Sequence, residues 1–87
     1  MASRSILALT DAAEEARFRH LAAGWSLGIA EIEVERAMFK SPRLVLAAIR
    51  NMVAARRRLA RATKAYDRAV DALSAAKRAS RRKVTGR

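Results

Sequence analysis

The chain has no cysteine, a single proline (Pro42) and only three glycines (Gly24, Gly28 and Gly86) in 87 residues. Without cysteine there is no disulfide framework and no thiolate metal site, and the redox compartment leaves no trace. Scarcity of Gly and Pro, with four aromatic residues (Phe18, Trp25, Phe39, Tyr66), removes the turn supply that a many-stranded β architecture needs, so an all-α fold is expected. Long apolar runs are missing too. The longest uncharged stretch, Leu21 to Ala30, covers ten residues, half of the roughly 20 that a bilayer core requires. Ile6 to Leu9 is too short for a secretory signal and Asp11 interrupts it, so no membrane partner and a cytoplasmic location are expected, for a host, phage or mobile-element protein.

Acids are scarce in one half. Residues 1–40 carry five Lys or Arg against six Asp or Glu, whereas residues 41–87 carry fourteen against two (Asp67 and Asp71), within a net charge of +11. Such a segregated positive charge is the footprint of a polyanion binder. A solvated helix surface serving solubility alone mixes both signs.

What the chain does have is alanine at regular spacing. From Val45 the sequence steps by three and four through Ala48, Met52, Ala55, Leu59, Ala62, Tyr66, Ala69, Leu73 and Ala76. Larger apolar residues alternate with alanines in a seven-residue repeat, the pattern of a helix lying along another helix. The opposite side of this helix repeats as well, with Arg43, Arg50, Arg57, Lys64 and Arg78 at one heptad position, broken only by Asp71. A second stripe at the same spacing runs through Phe18, Ala22, Trp25, Ile29, Ile32 and Phe39, interrupted by Arg36, and is expected to pack as core.

Ser41 and Pro42 mark the clearest boundary, Ser as an N-cap and Pro at a first helical position. The expected organisation is a flexible arm over 1–10, a helical domain over 11–79 and a disordered basic tail over 80–87. The first helix is expected to begin at Asp11, whose capping box with Glu14 puts acid in the first turn, and to end near Phe39. Gly24 and Gly28 each cost about 1 kcal/mol in a helix interior. They imply either close approach of a helix or ring beside Trp25, or a break with Ser26 as N-cap, which makes a three-helix unit. The second helix is expected over 42–79. Folded as an antiparallel hairpin, Phe18 falls opposite Thr63 and Asp11 opposite Val70, so that Ala72 to Arg87 projects. Alanine buries little area, and so thin a core implies a homodimer or larger oligomer.

For function, the candidate nucleic-acid contacts are Arg43, Arg50, Arg56, Arg57, Arg58, Arg61, Lys64, Arg68, Lys77, Arg78, Arg81, Arg82 and Lys83. Guanidinium forks match phosphate oxygens in pairs and keep their charge. DNA ranks ahead of RNA as the partner, and an acidic protein is the alternative. In that case the chain is a structural or inhibitory subunit. Asn51 beside Arg50 is compatible with base reading, but a polar residue flanking a helix seam is the simpler account. Glu31 and Glu35, four apart, share a helix face, with Glu33 turned elsewhere; no histidine is spaced to join them, and they are expected to pair with Arg50 or with a partner's arginines. His20, the sole histidine, is expected at the edge of an amphipathic helix. No cofactor, metal site or catalytic cluster is expected, and so no enzyme.

Overall fold

The computed structural model describes residues 5–85, with side chains through 83. Two helices, α1 (Ile6–Met38) and α2 (Pro42–Thr85), fold back on each other as an antiparallel hairpin with no strand among the described residues. The molecule is a rod of 69 × 19 × 16 Å, about the length of α2 at 1.5 Å per residue. No helix among the described residues is long and apolar enough to cross a membrane.

α1 begins five residues before the expected Asp11. The Oγ of Ser5 accepts the Ala8 N–H at 3.1 Å, making Ser5 the N-cap, and the first turn contains no acid. Leu9 and Ala13 are buried, and this apolar contact holds the additional turn in place. Residues 6–10 of the expected arm are therefore helix, while Met1 to Arg4 lie outside the described residues. The helix runs through Gly24 and Gly28 without a break, and neither glycine has a positive φ. It ends where the sequence places the boundary. Lys40 and Ser41 both donate backbone bonds to the carbonyl of Ala37, at 3.0 and 3.1 Å. Ser41 then caps α2, with the Arg43 N–H reaching its Oγ at 3.3 Å and the Leu44 N–H its carbonyl at 3.1 Å. α2 continues past the expected end at 79, and the expected tail falls partly on Gly86 and Arg87, outside the described residues.

All ten residues of the stripe from Val45 to Ala76 are buried or half-buried, with Ala55 at 1% exposure. Across from them, α1 presents Leu9, Ala13, Ala30 and Ala37 as buried residues, with Ala16, His20, Ala23, Leu27 and Val34 half-buried between them. Apart from Leu9, every buried residue of the hairpin is an alanine. Alanine facing alanine brings the two backbones close but removes little apolar surface per residue.

This pairing face of α1 corrects the expectation drawn from Phe18, Ala22, Trp25, Ile29, Ile32 and Phe39. All six are exposed, Phe18 at 70%, Trp25 at 77% and Phe39 at 92%. The first five lie on the side of α1 turned away from α2, and Phe39 caps the end of the helix. α1 carries two apolar stripes at identical spacing, and the alanine line (Ala16, Ala23, Ala30, Ala37) fits the small-residue seam of α2. Indole and phenyl rings at those positions would hold the helices apart.

His20 is the second correction. It sits in the seam rather than at its edge, with its ring stacked on Tyr66 at 5.7 Å between centroids and its Nδ1 3.1 Å from the Thr63 hydroxyl. That hydroxyl also donates to the Leu59 carbonyl at 2.9 Å, which leaves its lone pairs to accept from a ring N–H at Nδ1. The bond sets the register two residues along from the expected pairing of Phe18 with Thr63. α1 reaches farther along α2 than expected, and Ala76 is still half-buried. Exposure becomes continuous at Lys77 and stays so through Lys83.

Candidate nucleic-acid interface

The outer side of α2 follows from heptad arithmetic once the inner side is fixed. With Val45, Met52, Leu59, Tyr66 and Leu73 turned inward, Arg43, Arg50, Arg57 and Lys64 fall on the diametrically opposed line at steps of about 10.5 Å along the axis, followed by Asp71 and then Arg78. Arg61, Arg68 and Arg82 run beside them on the neighbouring line. Arg56 and Arg58 lie to either side of the seam, because three consecutive helical residues fan over about 200°. Lys77 and Arg81 complete the set beyond the start of α1, with Lys83.

All thirteen of these cations are exposed. Apart from Arg81, none has an ion-pair or hydrogen-bond partner for its side chain among the described residues, where the one ion pair is Arg19 with Glu15 at 2.6 Å, on α1. Exposed pairs of that kind contribute a few tenths of a kcal/mol. The expected pairing of Glu31 or Glu35 with Arg50 does not form: all three side chains, and Glu33 beside them, are exposed and unpaired among the described residues. The register places those acids near the turn, facing the first helical turns of α2, whereas most cations lie farther along it.

The field is therefore polar along the rod. Near the turn, Glu33 and Arg36 of α1 and Lys40 of the turn itself share a groove with Leu44, Ala47 and Asn51 of α2. Asn51 thus flanks the seam in mixed-sign surroundings and stands apart from the cationic lines. Toward the open end Arg61 borders a second groove with Glu15 and Arg19, and the last described turns carry cations without acid. A straight helix with unpaired guanidinium groups on one side can lie along a polyanion and exchange water for phosphate oxygens without rearranging its backbone.

The α1 face that sequence reasoning assigned to the core gives the other surface of note. Leu21, Trp25, Ile29 and Ile32 line an apolar groove in which Gly24 and Gly28 form the floor. A Cβ added at either glycine meets nothing within 4 Å, so the hairpin itself does not require these glycines. Among the described residues no group of three His, Cys, Asp or Glu is placed to hold a metal ion. Comparison with protein-family models, with curated proteins and with solved structures finds no match.

Proposed function

We propose that this protein binds the phosphate backbone of nucleic acid, DNA ahead of RNA, through the outer side of α2, and does so as a self-associating subunit. One observation carries the reading: the cations of α2 are exposed and, save Arg81, unpaired among the described residues, on a helix whose inner side packs against α1 as far as Ala76. Holding so many like charges on one helix raises the energy of the free protein, and a polyanion relieves that repulsion. The role is one of binding rather than catalysis. Contacts of this type position a protein on a duplex without reading bases, as chromosome architecture, transcription regulation or DNA packaging in the cytoplasm would use them, in a host, phage or mobile-element setting.

The test is the affinity for a random-sequence duplex at several salt concentrations. Each phosphate contact steepens the dependence of log K on log salt by about 0.9, so engagement of half the cationic set gives a slope of about −6. No binding at low salt by the folded protein would sink the reading and direct attention to an acidic protein surface.

A further inference from the structure

We propose that a second copy of this chain covers the outer face of α1, running antiparallel to it, with Trp25 of each copy resting over Gly28 of the other. The inference deepens the self-association in the function proposed above and rests on that part of it.

Four observations converge on this face. The hairpin core is one leucine and five alanines, which is little for a chain of this length without disulfides or metals. Meanwhile Phe18, Leu21, Trp25, Ile29 and Ile32 stand exposed on the opposite side of α1. Scaling by the 150–250 Å² that an aromatic side chain buries, they leave roughly 600 Å² of apolar surface uncovered, so two copies would remove about 1,200 Å², the lower limit of a stable protein interface.

The glycines give this face its shape. Both are set in a continuous helix whose interior they weaken, and nothing in their own chain approaches them. A groove floored by glycine and walled by Leu21, Trp25 and Ile29 has the form of a hole for a large knob from a neighbouring helix. Trp25, projecting from the same face, is a knob of that size.

Charge selects the occupant and its direction. No charged residue lies on this face between Glu15 and Glu35, while its borders carry Arg17 and Arg19 toward one end and Glu31 and Glu33 toward the other. A parallel copy would stack like on like. An antiparallel copy with its two-fold axis near Ser26 sets Arg19 of each chain against Glu33 of the other. The face is thus complementary to itself, as an isologous interface must be. It also leaves the cationic side of both α2 helices free.

Mass by sedimentation in nucleic-acid-free buffer tests the interface on the full chain, which is expected to be a dimer at micromolar concentration. Gly28→Leu fills the hole without touching its own hairpin, so helicity by circular dichroism should hold while the dimer dissociates. Trp25→Glu should weaken dimerisation at least ~30-fold, the loss expected of a central aromatic anchor. Direction is read separately. An Arg19→Cys chain mixed with a Glu33→Cys chain should cross-link one to the other with a short thiol reagent, and neither should cross-link to itself; self-linking of each would overturn the antiparallel arrangement. A monomeric wild type, or a Gly28→Leu protein as dimeric as wild type, would overturn the interface. Duplex affinity measured on the same samples separates the two readings: a monomer that binds DNA removes the interface and spares phosphate binding, and a dimer indifferent to DNA does the reverse.

Discussion

His20 is the one side chain whose polar atoms join the two helices among the described residues. Its ring stacks on Tyr66 and its Nδ1 reaches Thr63, so a directional bond pins a seam whose alanines recur at every heptad and would match in more than one register. Sliding the helices by one heptad would keep alanine against alanine, but it would bring Arg56 or Val70 to His20 in place of Thr63. Neither of those side chains can accept the ring proton. Replacement Thr63→Val keeps the shape and removes the acceptor. It should cost ~1 kcal/mol, lowering the melting temperature by about 4–8 °C for a domain of this size, as thermal circular dichroism would register. At Arg56, Arg57 and Arg58 the expectation has the opposite character. Exposed and unpaired in the free protein, they can become alanine without loss of helicity. The salt slope for duplex binding should then flatten by up to about 2.7, with affinity reduced for all sequences alike. An unchanged slope would remove the three from the contact surface.

At the scale of the helix, α2 was readable and α1 only half so. α2 alternates large and small residues along one seam sustained from Val45 to Ala76 and carries arginine on the other side, whereas its apolar residues outside the seam, such as Leu46, Ile49 and Val53, make no stripe of comparable length. α1 has two stripes. Its Phe18–Trp25–Ile32 line and its Ala16–Ala23–Ala30 line share the same period, and periodicity reports that a face exists without saying which neighbour it meets. Bulk favours the aromatic line when the helix is read alone, whereas the alanine seam of the partner helix favours the other. Asking which α1 stripe matches α2 in size would have found the pairing, and would have drawn His20 into it with Ala13, Leu27 and Val34. The start of α1 was missed for a related reason: Asp11 and Glu14 make a good local cap, but Ser5 makes another, and burial of Leu9 and Ala13 selects the earlier one. The tightest point of the seam is Ala55. Substitution Ala55→Leu should force the helices apart at a cost of about 1–3 kcal/mol, seen as a lower unfolding midpoint in urea. A variant as stable as wild type would show that the seam has slack there.

Across the whole molecule, α2 outruns α1, and from Lys77 through Lys83 no residue is covered. Those turns lie beyond the packing against α1, and packing of that kind supplies most helical stability in proteins. They open first and most often. Trypsin, which cuts after Lys and Arg in unfolded backbone, should therefore trim the open end within the first minutes of digestion and stall where packing against α1 begins, near Ala76, despite the many arginines exposed farther in. The sites it attacks are the side chains proposed to hold phosphate. A duplex laid over them would slow the trimming, so the overhang is a built-in footprinting label: mass spectrometry of a timed digest, with and without DNA, would report occupancy of the open end residue by residue.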